Sequence, residues 1–224
     1  MKLYSGPLSL FSRKVEIALT EKGLPFDREM VAFTQERGYQ PKHPDVLDAN
    51  PKGQVPVLVD GDVTVFDSTL IFEYLEDAYP SPPLMPRTPK ERAECRKLEL
   101  YADEILFPPA RTLGYRAEQP LQDADRQRAR DEEGLRAEEK IGAEFARLDE
   151  LLRGRAFLCD ALSVADIGMF MTVLWTQRLK GPSLARYTEL DGWFNRLYAR
   201  PAFAQATDEI VAADVALSPG LRRL

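Results

Sequence analysis

Between Tyr79 and Pro89 the chain carries five prolines. No regular helix or central strand runs through such a stretch, because each proline lacks an amide donor and its ring blocks the preceding turn. The 224-residue chain is therefore expected to fold as two units joined by a stiff connection, and its length suits two domains. Composition changes across the prolines. Upstream segments are short and punctuated by Gly and Pro, whereas downstream segments are long, charged and helix-forming. The expected division is a first unit at 1–80, a linker at 81–89 and a second unit at 90–224.

Upstream, Lys2-Leu3-Tyr4 reads as a short strand, and Ser5 to Ser12 as a loop entering a helix that runs to about Lys22. Val15, Ala18 and Leu19 give that helix one apolar stripe, and Gly23 followed by Pro25 ends it. Phe26 to Val31 is the next strand, making a βαβ unit with parallel strands and a right-handed crossover. Val55 to Val59 is a third strand, Asp60-Gly61 a tight hairpin and Val63 to Phe66 the returning strand. Asp67 and Ser68 can cap a helix whose apolar residues Leu70, Ile71, Tyr74, Leu75 and Ala78 share one face. With a short helix near Asp45–Leu47, the order is β-α-β then β-β-α: a four-stranded mixed α/β sheet with helices packed on it, as in the thioredoxin fold.

The second unit reads as an all-α bundle. Lys90 to Phe107 is one helix, ended by Pro108-Pro109, and Arg111 to Arg116 resumes it. Asp123 to Arg153 is a long helix whose basic and acidic runs at 126–140 form a solvated face. Ser163-Val164-Ala165-Asp166 fits a capping box in which both Ser163 and Asp166 are structural. The helix it opens, through about Leu179, is apolar almost all round and belongs at the centre of the bundle. Leu184 to Arg200 and Ala202 to Ala213 supply two more helices.

Several function classes are excluded by counting. A net charge of −6 argues against general nucleic-acid binding, which needs a basic field. No stretch approaches the roughly 20 apolar residues of a membrane span. The N-terminus enters a strand pattern with no secretory signal, so a cytoplasmic location is expected. A single histidine, His43, leaves no His-based triad or multi-His zinc site, and no metal is expected. Cys95 and Cys159 lie far apart in sequence, form no CxxC, and read as reduced, partly buried thiols.

Four features of the first unit carry chemistry together: Ser9 to Val15 at a loop-to-helix entry, Lys42, Asn50 to Pro56, and Phe66-Asp67-Ser68 at a helix start. A proline opening a central strand cannot donate to the ladder. If the peptide before it is cis, Val55 can turn its amide and carbonyl outward for an extended ligand to pair with. Asp67-Ser68 offers hydrogen-bonding groups at a helix N-terminus. Ser9 or Ser12 would sit at the positive end of the first helix, where a thiolate is stabilised.

Asn-Pro-Lys-Gly-Gln-Val-Pro at 50–56, followed by Asp67-Ser68 and later by Ser163-x-x-Asp166, resembles the cytosolic glutathione S-transferases over nearly the whole chain. Ser9-x-Phe11-x-x-Lys14-Val15 and Lys42 are similar to the serine-type members, such as the plant phi and tau groups and many bacterial ones. The resemblance implies an enzyme that conjugates glutathione to an electrophilic, mostly apolar substrate, and a homodimer. Val55 would pair with the cysteinyl backbone of glutathione, with Pro56 cis. Asp67 and Ser68 would hold its γ-glutamyl end, Lys42 and Gln54 its glycyl carboxylate, and Ser9 would donate to its sulfur, with Ser12 the alternative. Phe11, Phe107, Arg111 and Tyr115 would contribute to the second-substrate pocket, with Tyr101 and Trp175 as further aromatic candidates and Trp175 read chiefly as bundle core. Two positions depart from the pattern: Glu16 stands where many relatives carry Arg, a surface change, and Asp67 replaces the commoner Glu. Tyr4, the tyrosine-type rival to Ser9, reads as core, and Lys52 and His43 as solvated. The cysteine of the thiol-type relatives is absent from the Ser9 loop. A glutathione-dependent dehalogenase or isomerase, or a non-catalytic binding protein on the same fold, are the alternative readings.

Overall fold

A computed structural model describes residues 1–223; Leu224, the last residue of the expected second unit, lies outside them. The N-terminal elements are β1 (Lys2–Ser5), α1 (Leu10–Glu21), β2 (Asp27–Met30), α2 (Pro44–Ala49), β3 (Val57–Asp60), β4 (Val63–Phe66) and α3 (Ser68–Ala78). They form a four-stranded sheet in the order β2-β1-β3-β4. β1 and β2 are parallel, with Leu3 opposite Arg28. β3 runs antiparallel to β1, with Leu3 opposite Leu58, and β4 returns along β3 with Val57 opposite Phe66. This is the thioredoxin-like arrangement. β3 begins at Val57, two residues later than the apolar run suggests, because Pro56 has no amide to place in the ladder.

The remaining elements are helical: α4 (Pro89–Tyr101), α5 (Phe107–Thr112), α6 (Ala124–Leu152), α7 (Val164–Arg178), α8 (Thr188–Tyr198) and α9 (Pro201–Leu217). Pro108-Pro109 does not end the first of them, contrary to expectation. A π-helical turn at Ala102–Leu106 joins α4 directly to α5, and the Phe107 amide donates five residues back to the Ala102 carbonyl. The wider turn places both prolines in the first turn of α5, where missing amides leave no gap in the ladder. A 3-10 turn, Leu113–Ala117, then carries the chain on.

α7 is the axis of the molecule: from Val164 to Val173 its residues are buried, and Phe170 stacks on Phe194 at 4.6 Å and meets Phe203 edge-on at 4.9 Å. Its capping box is present, with Ser163 N–H donating to Asp166 Oδ2 at 3.0 Å and the Ser163 hydroxyl to the same oxygen at 2.9 Å. The other oxygen, Oδ1, accepts from Leu158 N–H at 2.8 Å and Trp193 Nε1 at 3.0 Å. Asp166 thus ties the loop before α7 and helix α8 to the start of the core helix.

α1 was expected to show one apolar stripe, yet it is buried on all sides from Ser12 to Leu19. One face lies on the sheet and α3, the other on α7 and α9. Its charged residues are tolerated there because each is paired. Glu16 is not a surface residue: it accepts from Ser5 Oγ at 2.5 Å, Arg13 at 2.5 Å and Arg28 at 2.9 Å, and both arginines reach on to Glu209 of α9. The proline stretch is fixed in the same way. Lys22 Nζ donates to the Tyr79 and Pro82 carbonyls at 2.9 Å each and pairs with Glu76 at 2.5 Å, while Glu76 accepts the Leu84 amide at 2.8 Å.

Candidate functional site

A cavity of about 740 Å3 opens between the sheet unit and the helices, within the size range of small-molecule sites. One wall comes from the loop before β3 and the start of α3, and includes Gln54, Val55, Pro56, Asp67 and Ser68. Phe11, Phe107 and Arg111 stand on the same cavity, the last two from α5. Eight of the residues singled out in the sequence therefore meet in one place.

The loop wall is built around Asn50. Its Oδ1 accepts the Lys52 amide at 3.0 Å, and its Nδ2 donates to the Gln54 carbonyl at 2.7 Å. Gly53 closes the turn at φ 57°, donating to the Asn50 carbonyl at 2.7 Å. A β-carbon there would press on the Leu47 and Lys42 side chains, 2.9 Å and 3.2 Å away, and the left-handed φ itself favours glycine. The chain leaves this turn extended toward β3. The Val55–Pro56 peptide is cis, and among the described residues no hydrogen bond engages the Val55 amide or carbonyl.

At the start of α3, Asp67 is the N-cap, its carboxylate accepting the Thr69 amide at 3.0 Å. Its φ of 73° is a sparsely populated backbone conformation for a non-glycine residue. Ser68 follows, buried. Ser9 is the N-cap of α1, and its Oγ accepts both the Ser12 amide at 3.2 Å and the Ser12 hydroxyl at 3.0 Å. Ser9 is half-buried, whereas Ser12 is wholly buried. Neither serine forms the cavity wall itself; Phe11, two residues after Ser9 and one before Ser12, does.

Four further residues stand elsewhere than the sequence suggests. Tyr115 stands apart from the cavity, with its ring against Gly134 and 5.8 Å from the guanidinium carbon of both Arg116 and Arg130. Tyr101 also lies elsewhere, donating to Glu144 and accepting from Arg147 at 2.9 Å. Lys52, read as merely solvated, lines the cavity, whereas Lys42 is not on its wall and passes beside Gly53. Tyr4 is in the sheet core, its hydroxyl donating to Asp45 at 2.5 Å. Trp175 meets the Phe107 ring edge-on at 5.9 Å, and Phe107 meets Phe11 at 5.2 Å, so one aromatic row joins the bundle to α1.

The sequence reading missed Thr69, Asp103 and Glu104 on the cavity wall. Beneath them Lys14 Nζ, fully buried, contacts Asp103, lies 3.8 Å from Glu99 and sits 5.0 Å over the Phe11 ring. Thr69 Oγ1 lies 3.1 Å and 3.2 Å from the two Glu99 oxygens. Burial pushes the Glu99 carboxyl up to about 7, against the lowering effect of Lys14. Asp103 is raised for the same reason, with Asp67 adding like-charge repulsion. The missed groups come from the π turn and α3, and their convergence has no local sequence signature. Among the described residues there is no group of three or more His, Cys, Asp or Glu able to hold a metal ion, and no helix long and apolar enough to cross a membrane.

The sequence matches two family descriptions, "Glutathione S-transferase, N-terminal domain" over residues 8–78 and "Glutathione S-transferase, C-terminal domain" over residues 103–201. A probable maleylacetoacetate isomerase of Vibrio cholerae is 32% identical over 212 residues, 92% of this chain and 95% of that protein. A stringent starvation protein A homologue of Coxiella burnetii is 42% identical, but over 100 residues, 44% of each protein. The chain thus matches under half the length of these stringent starvation protein A homologues. The crystal structure of a glutathione S-transferase from Methylobacterium radiotolerans, in complex with glutathione sulfonate, superposes with a TM-score of 0.72 at 28% identity, over 92% of this chain and 93% of that one.

Proposed function

The chain belongs to the glutathione S-transferase family, and on that premise we propose that it is a serine-type, bacterial or phi-tau-like transferase joining the glutathione thiolate to an electrophilic, mostly apolar second substrate. Glutathione is the co-substrate and binds to the 1–80 unit. The linker is 81–89, and the helical unit from residue 90 supplies the second-substrate pocket.

The observation that carries this reading is the cis Val55–Pro56 edge, whose Val55 amide and carbonyl make no hydrogen bond among the described residues and which shares one cavity with the Asp67-Ser68 helix start. Ser9, the N-cap of α1, accepts the Ser12 amide and keeps a hydroxyl proton to donate. Ser12, the alternative, is wholly buried. A thiol near pKa 8.5 is only a few per cent thiolate at pH 7. A hydroxyl donor at the N-terminus of α1 favours the charged form of the sulfur, and each unit of lowering is worth about 1.4 kcal/mol. The bond accepted from the Ser12 amide polarises the Ser9 hydroxyl further.

The other roles follow from the wall. The unpaired Val55 backbone takes the cysteinyl backbone as a strand edge would, with Pro56 keeping the ladder clear. Asp67 takes the γ-glutamyl ammonium, while the Ser68 hydroxyl and the α3 N-terminus take its carboxylate. Gln54, Lys42 and Lys52 take the glycyl carboxylate at the other end. Phe11, Phe107 and Arg111 receive the second substrate, and catalysis comes from positioning and thiolate stabilisation. Half-exposed Leu70 and Leu100 on the cavity rim suit a surface covered in a homodimer.

The test has two steps. Binding to immobilised glutathione is expected, and its failure removes the enzymatic readings together. Conjugation to an aromatic halide is then expected to fall about 100-fold in kcat for Ser9→Ala, with glutathione affinity kept. Unchanged kcat would move the role to Ser12 or to backbone donors. A glutathione-dependent isomerase is the second reading, favoured by the near full-length similarity to the probable maleylacetoacetate isomerase and by the Arg111 guanidinium, a cation for an acidic substrate. Turnover of maleylacetoacetate without consumption of glutathione would select it.

A further inference from the structure

The segment between β2 and α2 contains a small closed turn. Thr34 N–H donates to the Gly38 carbonyl at 3.0 Å, Gly38 N–H donates back to the Thr34 carbonyl at 2.7 Å, and Arg37 N–H donates to Thr34 Oγ1 at 3.1 Å. Phe33 and Tyr39, on either side of that pair, bring their rings together at 4.8 Å. The turn is also held from outside. Gln35 Nε2 donates to Ser218 Oγ at 3.2 Å, and Ser218 in turn donates to Asp214 at 2.5 Å and accepts from Arg178 at 3.2 Å. Tyr39 itself packs with the small apolar cluster of Tyr4, Val31, Val46 and Val57. Its ring lies where a side chain at position 6 would go: a β-carbon on Gly6 would fall 2.5 Å from Tyr39 Cε1, 2.6 Å from Cζ and closer still to the hydroxyl oxygen. The φ of Gly6 is not positive, so close approach of the ring, and not backbone conformation, calls for glycine here.

Gly6 opens the turn that carries Ser9. Its carbonyl accepts the Ser9 amide at 3.1 Å, and Ser9 caps α1. The pairing of β1 with the β2 side reaches only to the residue before, where Val31 N–H donates to the Ser5 carbonyl at 2.8 Å. Beyond it Pro7 has no amide to give, and Leu8 is buried in the core. Gly6 has no side chain with which to anchor itself, and the Tyr39 ring supplies that contact. We propose that Tyr39 is a positioning residue for Ser9: its ring, braced by Phe33 and by the Gln35–Ser218 clasp, presses the Gly6–Ser9 turn into the place from which the Ser9 hydroxyl meets the glutathione sulfur. This rests on the Ser9 reading given above and deepens it. Tyr39 does not line the cavity, so it acts through the turn and touches no substrate.

The ring works by shape. Its hydroxyl oxygen is buried and has no hydrogen-bond partner among the described residues, and burial pushes the group up to about 12, so it carries no charge near neutral pH. A reacting group displaced by about 1 Å can cost on the order of 100-fold in rate, and a turn that only loosens costs less. A loosened turn also makes a poorer hydrogen bond to the sulfur. That bond favours the thiolate, so weakening it raises the pKa of the bound thiol. Val55, Asp67 and Ser68 line the cavity without help from this turn, so the grip on the rest of glutathione is independent of Tyr39.

Tyr39→Ala, Tyr39→Phe, Gly6→Ala and the double variant Gly6→Ala/Tyr39→Ala are compared with the wild type in conjugation to an aromatic halide at saturating glutathione. Affinity for S-methylglutathione, which offers the same backbone with no thiol, is measured by calorimetric titration. Circular dichroism checks folding, and Tyr39→Leu is read in place of Tyr39→Ala if that chain does not fold. Tyr39→Ala is expected to lower kcat about 10-fold and to move the acid limb of kcat/KM for the halide up by about one pH unit, with S-methylglutathione affinity unchanged. Tyr39→Phe keeps the ring and so keeps both. Gly6→Ala, whose β-carbon meets the ring, loses about as much, and the double variant loses no more than either single one. A Tyr39→Ala chain with the wild-type kcat and pH profile, a Tyr39→Phe chain as impaired as Tyr39→Ala, or additive losses in the double variant would each overturn the proposal. So would a further fall in kcat when Tyr39→Ala is added to Ser9→Ala. Unchanged kcat in Ser9→Ala alone removes the Ser9 reading itself, whereas a loss in Ser9→Ala with none in Tyr39→Ala removes only the role of Tyr39.

Discussion

The cavity has two walls of different origin. The wall from the sheet unit is made by short-range features: the Asn50 hydrogen bonds, the Gly53 turn, the proline before β3 and the Asp67 cap all act within a few residues. The helical wall is made by tertiary packing: Asp103, Glu104, Phe107 and Arg111 reach the cavity because a π turn re-aims one long helix against α7. A site with one locally specified wall and one packed wall can keep its grip on an invariant ligand while the other side varies. The wall from the sheet unit should therefore govern glutathione, and the helical wall the second substrate.

The harshest way to break this contrast is to remove the support of the helical wall. Asp166→Ala leaves the Leu158 and Ser163 amides and the Trp193 ring N–H without their acceptor. The expected cost is about 3–5 kcal/mol, a fall in thermal midpoint on the order of 10 °C for a chain of this size. Because α1 packs on α7, both walls should be lost in one transition. Two separate transitions in calorimetry would show that the sheet unit stands without the bundle.

The same contrast explains what the sequence could reveal. The strands, the hairpin, the Asp67 cap and the Ser163–Asp166 box depend on neighbours within a few positions, so residue pattern is enough to find them. The reading failed where the deciding partner was remote. Glu16 looks like a surface position until Arg28 and Glu209 are brought to it. Pro108-Pro109 looks like a helix stop until the π turn accommodates it. Tyr115 has the right residue type beside the right break, yet the 3-10 turn directs it to Gly134.

A milder intervention separates charge from geometry on the wall from the sheet unit. Asp67→Asn keeps an acceptor for the Thr69 amide, and asparagine tolerates positive φ better than most residues. Thermal stability should therefore hold, while glutathione affinity falls roughly tenfold, about 1.4 kcal/mol, from loss of the carboxylate opposite the ligand ammonium. Calorimetric titration reads the affinity. Equal affinity for Asn and Asp would assign the ammonium to Asp103 or Glu104 instead. Arg111→Ala is the matching change on the helical wall. It should raise KM for an acidic second substrate about threefold and leave KM for glutathione unchanged; a shift in the glutathione KM would merge the two walls.

The smallest effect lies between the walls, where Glu99 of α4 meets Thr69 of α3 and Lys14 of α1. Two carboxylates, buried Glu99 and half-buried Asp103, share one buried ammonium, and Asp67 adds negative charge from the cavity side. Burial raises Glu99 from 4.5 to about 7, so the folded chain holds a proton there that the unfolded chain has released. Stability from this group is fully present below pH 4.5 and declines as pH rises toward about 7. Glu99→Gln keeps the size and the contact with Thr69 but cannot ionise. Its thermal midpoint should therefore fall less steeply between pH 5 and pH 8 than that of the wild type, the two curves diverging in favour of Gln as pH rises. Parallel curves would mean that Lys14 keeps Glu99 ionised throughout, and that the two walls meet across a permanent ion pair instead of a titrating one.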